Sequence, residues 1–283
     1  MSLATTTYQN KNLVVITWDG KSNPMRYILQ DCTPLFDILL FNYSGKETLQ
    51  IIPSNCIYLS VATENKGQIF EHIHLFLNAY PIKYHYIGIL DDDLLCSMQD
   101  LNKLLFIATL ENLDVFQPSI AHDSFFDHRQ FIHKPGTVLQ WVDWVEIMAP
   151  FYKMELFNAA YPYFEFTISG QGVDVYLMPA LQRIMGLPKT AVVHAVMIKH
   201  CRPIRSGKRI YSNGKSNLEE VATLQEKVKE LVAANDPALF DVYFTKRILN
   251  KKYYNRVTLY AKVLRIKTML KNIYHQMVNA SYR

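Results

Sequence analysis

The chain has 283 residues, of which 49% are apolar and 19% charged; this describes a folded globular protein and excludes a disordered or collagen-like one. No uninterrupted apolar run reaches the roughly 18–20 residues of a membrane-spanning helix. The opening residues lack a basic region followed by an apolar stretch, so no secretory signal is expected. Cys32, Cys56, Cys96 and Cys201 contain no CxxC pair, so reduced thiols in a cytoplasmic protein are expected rather than a disulfide framework. The net charge of +5 is divided unevenly. Residues 242–283 carry ten Lys and Arg and no acid, which leaves 20 basic against 25 acidic residues in the body.

Residues 13–18 (Leu-Val-Val-Ile-Thr-Trp) are a β-branched run ending at Asp19-Gly20 and predict a first buried strand with its turn. A short helix is expected over 24–32, a second strand over 36–42 and a third over 57–61. Ile69, Ile73, Leu75, Phe76 and Ala79 recur at helical spacing, and Pro81 marks the stop. A further strand enters at Tyr84 and runs into Asp91, Asp92 and Asp93. This alternation argues for a mainly parallel sheet with helices on its faces. Beyond it, a helix is expected over 101–110, a strand over 115–117 stopped by Pro118, and a loop over 122–136. A strand over 138–148 would bring Asp143 near Glu146; a helix is expected over 151–160. Gly170-Gln171-Gly172-Val173-Asp174 reads as a loop opening a helix through Ile184. A last strand covers 191–199 and leads to His200, a polar loop covers 202–216, and helices cover 217–233 and 237 onward.

Three adjacent carboxylates at the C-terminal end of a strand repel one another unless a cation or hydrogen-bond donors compensate them. In extended chain Asp91 and Asp93 share one side, which suits Mg²⁺ or Mn²⁺, hard cations that complete their shell with water and phosphate. The competing reading is an acidic turn in which one Asp caps the next helix. Asp174 is either a general base at a helix start or an ordinary helix-start acid. His122, His128 and His133 match no familiar zinc spacing, which favours substrate contact or solvent.

The Asp91–Asp93 spacing resembles the DxD motif of GT-A-fold glycosyltransferases, which hold a metal bound to a nucleotide-sugar diphosphate. Residues 170–174 are similar to the glycine-rich, acid-terminated segment of many such enzymes, with Gln171 in place of the usual Trp. Residues 193–203 resemble their late strand, whose terminal His commonly completes the metal site; His194 stands where relatives often have an acid. Residues 144–150 look like a segment of an uncharacterised plant and bacterial glycosyltransferase-like domain family. These likenesses cover about residues 84–205.

The resemblance implies Asp91, Asp93 and His200 as metal ligands for Mn²⁺ or Mg²⁺, and Asp174 as the base of an inverting transfer. Glu146 is the rival base or an acceptor-hydroxyl ligand. Thr17 and Asp19 would contact the nucleotide, together with Asp91, and Arg202 and Arg205 would close over the diphosphate. The expected fold is α/β, GT-A-like and Rossmann-like, with a catalytic domain over 1–216 and a basic helical extension over 217–283. The expected activity is metal-dependent transfer from a nucleotide-diphosphate sugar to a glycan or lipid-linked hydroxyl acceptor, in a setting such as surface polysaccharide synthesis. The alternatives are a non-catalytic nucleotide-sugar or glycan-binding protein, and a phosphohydrolase or nucleotidyltransferase. The basic residues over 246–278 suit an anionic membrane surface on the cytoplasmic inner face, with docking on the body or a second subunit as alternatives. Nucleic acid is not expected, because no base-reading motif accompanies the charge.

Overall fold

The structure, a computed structural model, describes residues 11–46, 52–53, 55–203 and 209–235. Arg205, part of the polar loop and the whole basic segment beyond 235 lie outside the described residues. The chain divides into one compact unit through Glu230 and a second from Leu231 to Arg283. The candidate functional residues described below all lie in the first.

Its centre is a mixed sheet in the order β4-β3-β1-β5-β9-β7-β10-β6-β2, with β8 joined to β10. The strands are β1 (Asn12–Trp18), β2 (Ile28–Leu29), β3 (Asp37–Asn42), β4 (Cys56–Ser60), β5 (Tyr86–Leu90), β6 (Leu94–Ser97), β7 (Val115–Ile120), β8 (Leu139–Trp141), β9 (Phe151–Lys153) and β10 (Thr190–His200). Helices α1 (Lys66–Asn78), α2 (Met98–Glu111), α3 (Met154–Phe164), α4 (Met178–Ile184) and α5 (Asn217–Asn235) complete the α/β architecture. β1 pairs in parallel with β3 on one side and with β5 on the other, so strand order reverses between them. In an open α/β sheet the crevice at such a reversal, outside the carboxyl ends of the strands, is where ligands bind. Asp19 follows β1 and Asp91 follows β5 at that edge.

Local sequence explains most elements. All five residues of β5 are buried, as a strand covered on both faces requires. Asn65 caps α1 through its side chain, and Ser97 caps α2 by accepting from the Asp100 N–H at 3.0 Å.

Four segments differ from expectation. Residues 24–32 form a turn and the two-residue β2, because Ile28 and Leu29 find partners at Cys96 and Ser97 of the unforeseen strand β6. β7 continues through Pro118. Its partner β10 has a register break between Val193 and Met197, opposite Pro118 and Ser119, and an irregularity is where a residue lacking an N–H is tolerated. Residues 151–153 are a strand rather than the start of a helix. β9 slots antiparallel between β5 and β7, with Phe151 opposite both Gly88 and Phe116. The strand over 138–148 stops at Trp141, and Asp143 and Glu146 part company: Asp143 is exposed and Glu146 buried.

Gly88 is the residue that admits β9. A Cβ there would lie 2.2 Å from the Phe151 ring. Gly88→Ala is therefore expected to lower stability by about 1–3 kcal/mol through overpacking, read as a lower urea midpoint with an unchanged slope.

Candidate active site

The site is assembled at the end of β5. Asp91 leaves the strand with its N–H donating to the Met148 carbonyl at 3.0 Å. Its carboxylate is ion-paired with Lys66, from the first turn of α1. Lys66 Nζ also donates to the Ile147 carbonyl at 2.8 Å, so one buried ammonium ties Asp91 to the segment carrying Glu146. Asp92 accepts from the Tyr43 hydroxyl at 3.0 Å and is ion-paired with Arg202. Asp93 faces His200 Nε2 at 3.1 Å and accepts from Arg202 Nε at 2.8 Å, both on Oδ2. Its Oδ1 is buried with no hydrogen-bond partner.

Asp93 and His200 meet because β6 pairs antiparallel with β10, His200 opposite Leu94. The Cys201 N–H donates to the Asp93 carbonyl at 2.9 Å and locks that crossing. The loop over 122–136 closes on the same corner: Ser124 Oγ accepts from the His200 N–H at 3.1 Å, and the Phe125 carbonyl lies 2.9 Å from His200 Nδ1. A carbonyl can only accept, so Nδ1 carries a proton. The Asp93 carboxylate can likewise only accept, so its hydrogen bond with Nε2 requires the imidazolium form, with both ring nitrogens donating.

The three acids titrate differently. Burial pushes Asp91 up, and the neighbouring Asp93 and Asp92 reinforce it against Lys66. Burial also raises Asp92. For Asp93 burial acts upward, but His200 and Arg202 outweigh it and the carboxyl titrates below its usual range. Burial acts to lower His200, yet its hydrogen bond to Asp93 and that carboxylate's charge raise it overall.

Glu146 and Asp174 are the two remaining acids. The Glu146 N–H donates to Gln117 Oε1 at 2.5 Å, which turns the chain inward after β8. Its side chain is buried, and Oε2 has no partner. Burial, with the charges of Asp127 and Asp174, pushes its carboxyl up to about 8. Asp174 stands in a π-helical turn (Val173–Leu177) entered through Gly172 at φ 89°. Both its oxygens are engaged: Oδ1 accepts from the Val175 N–H at 2.9 Å and Oδ2 from the Ile147 N–H at 3.3 Å. Burial raises it to about 6 against those bonds. Asp174 thus holds the backbone next to Glu146.

The glycine loop before Asp174 is itself held. Glu220 of α5, fully buried, accepts from the Ile168 N–H at 3.0 Å, the Ser169 N–H at 2.8 Å and Asn213 Nδ2 at 2.8 Å. A Cβ on Gly67 would fall 1.6 Å from the Thr167 carbonyl oxygen, so α1 and this loop touch backbone to backbone.

The other expected residues sit as follows. The Thr17 hydroxyl donates to the Leu90 carbonyl at 3.1 Å, stitching β1 to β5. Asp19 accepts from the N–H groups of Lys21 at 2.9 Å and Ser22 at 3.2 Å and shapes the turn after β1. Arg202 lies against Asp92 and Asp93. Among the described residues no group of three or more His, Cys, Asp or Glu is arranged to hold a metal ion. Asp93 and His200 are brought together, while Asp91 is turned to Lys66. Lys66 and Tyr43 escaped sequence reasoning, since nothing local marks them as partners of residues 25 and 49 positions away.

Glu146 gives stability a specific pH dependence. A carboxyl whose folded pKa is raised from 4.5 to about 8 costs nothing below 4.5; the penalty grows as pH rises through that window and is then constant. Glu146→Gln removes it. Relative to wild type, the variant should gain on the order of 2–4 kcal/mol between pH 5 and pH 8, measured by urea unfolding at both.

No family model matches the chain, including over residues 144–150, and no curated protein sequence matches it. Among solved structures the chain is similar to TarS of S. aureus, a glycosyltransferase. One such structure, of TarS residues 1–349 in complex with UDP-GlcNAc, has a TM-score of 0.51 at 10% identity and covers 80% of this chain and 67% of that one. A longer TarS structure has a TM-score of 0.54 at 10% identity, covering 80% of this chain and 40% of that one. At this identity the likeness concerns the fold: the chain has a mixed α/β, GT-A-like fold of the kind found in a glycosyltransferase.

Proposed function

We propose that this site transfers a sugar from a nucleotide-diphosphate sugar to a hydroxyl acceptor, with Glu146 as general base. The observation that carries the reading is the pair of buried, unpartnered carboxylate oxygens, Asp93 Oδ1 and Glu146 Oε2, at the carboxyl edge where strand order reverses. Leaving such oxygens dry and unpaired costs stability, and functional sites are where that cost is retained. The shared fold with TarS, crystallised with UDP-GlcNAc, makes a uridine diphosphate sugar the first donor to test.

Asp93 Oδ1, together with His200 Nε2 once its proton is displaced by the metal, suits a divalent cation. A His whose other nitrogen donates to a backbone carbonyl is the usual orientation of a metal-bound imidazole. When bound, Mn²⁺ or Mg²⁺ would neutralise charge on the leaving diphosphate. Arg202 would move from Asp92 and Asp93 to the diphosphate oxygens, adding charge-assisted hydrogen bonds there. Glu146 Oε2 would take the acceptor hydroxyl proton. The acceptor oxygen then bonds to the anomeric carbon as that carbon's bond to the diphosphate oxygen breaks, and nucleoside diphosphate leaves. A single displacement of this kind inverts the anomeric centre. Asp174 positions Glu146 through Ile147, the reverse of the roles expected from sequence. Lys66 opposes the burial that raises Asp91 and binds that same segment through the Ile147 carbonyl.

The competing reading is a non-catalytic nucleotide-sugar or glycan-binding protein. It draws on one fact: Asp91, Asp92 and Asp93 each already face a cationic or ionisable partner within the protein. Turnover separates the two. With UDP-sugars and Mn²⁺, release of UDP should require Glu146, and Glu146→Gln should lower it about 10²–10⁴-fold with donor affinity retained. The rate should climb with pH through about 8 as Glu146 becomes carboxylate. Donor binding without turnover at any pH would favour the binding protein. Asp93→Asn should abolish the Mn²⁺ dependence of donor-induced thermal stabilisation; a dependence that survives would remove Asp93 as the metal ligand.

A further inference from the structure

Beside the site, and not used by the chemistry above, is a cavity of about 320 Å³ lined by Gln130, Gln140, Trp141, Val142, Asp143 and Trp144. Trp141 is 56% exposed although it sits on β8, whose backbone is pinned to β10 opposite Ala191. Trp144 is held edge-on by His128 and Phe131, each with its ring centre 4.8 Å away. Two indoles on a rigid backbone thus meet two primary amides and a carboxylate.

One of those amides is aimed by a buried relay. The Lys134 N–H donates to His194 Nδ1 at 3.1 Å, so Nδ1 is the acceptor and the proton is on Nε2. His194 Nε2 therefore donates to Gln140 Oε1 at 3.0 Å, which fixes the amide with its NH₂ as the group left for a ligand. Burial pushes His194 down to about 4, which keeps it neutral and the relay intact near neutral pH. The register break of β10 at 194–196 is what places this His beneath the pocket.

We infer that this cavity is a carbohydrate subsite that binds a sugar ring of the acceptor, its apolar C–H face on Trp141 and its hydroxyls on Gln140, Asp143 and Gln130. A pyranose presents one apolar face and a rim of hydroxyls, which matches an exposed indole bordered by planar polar groups. The volume is at the small end for ligand pockets and admits one or two rings. One wall of the cavity, Trp144, is two residues along the chain from Glu146, the proposed base. The identification of the sugar as acceptor rests on the transferase reading; the carbohydrate specificity of the cavity does not.

The test is a glycan microarray probed with the full chain, alongside thermal-shift titration with UDP-sugars and Mn²⁺. Wild type should bind a related set of glycans. Trp141→Ala and Gln140→Leu should each weaken that binding at least tenfold, about 1.4 kcal/mol, with UDP-sugar stabilisation unchanged. Glycan binding that survives both substitutions, or no glycan bound by wild type, overturns the inference. So does a loss in Trp141→Ala confined to liposome binding or self-association. Glycan binding lost as expected, with no UDP-sugar bound or turned over, would leave the subsite standing and sink the transferase.

Discussion

The structure depends on how three adjacent carboxylates are compensated at the end of one buried strand. Asp91, Asp92 and Asp93 would repel one another across a water-poor crevice, and each instead meets a different partner: Lys66 from α1, Arg202 and Tyr43 from two separate loops, and His200 from the end of β10. These pairs pull four distant parts of the chain to one corner. They also leave Asp93 Oδ1 without a partner, so compensation is incomplete at the oxygen that neither His200 nor Arg202 engages.

Sheet topology makes that corner possible. β9 enters antiparallel between β5 and β7, and Gly88 gives way to Phe151 so that it fits. The segment before β9 then passes along the carboxyl edge, and Glu146 and Ile147 come to lie beside Asp91 and Asp174. β6 crosses β10 at its last residues, so Asp93 and His200, 107 positions apart, share a hydrogen bond. The register break in β10 accommodates Pro118 and turns His194 toward Gln140. One irregularity therefore serves both the strand that could not pair and the pocket beside the site.

Two acids that look alike in sequence are separated by their surroundings. Asp174 spends both oxygens on backbone N–H groups, and burial raises it only to about 6. Glu146 keeps one oxygen unpaired and is raised to about 8, where a general base can exchange a proton near neutral pH. The glycine loop retains importance for a different reason: Gly172 reaches φ 89° to start the turn, and Glu220 clamps the residues before it.

The sequence by itself determined the alternation of strands and helices, the strand that ends in Asp91–Asp93, and the late strand that ends in His200. These are local signals: apolar runs of strand length, 3.6-residue periodicity and turn residues at their ends. Tertiary structure alone decided which counter-charge each aspartate meets, that residues 151–153 are a strand, and that Glu146 rather than Asp174 keeps an unpaired oxygen. Those outcomes depend on desolvation and on partners from elsewhere in the chain, such as Lys66, Arg202 and Gln117. No window along the sequence contains that information, because burial and pairing are properties of the assembled crevice and not of the residues that line it.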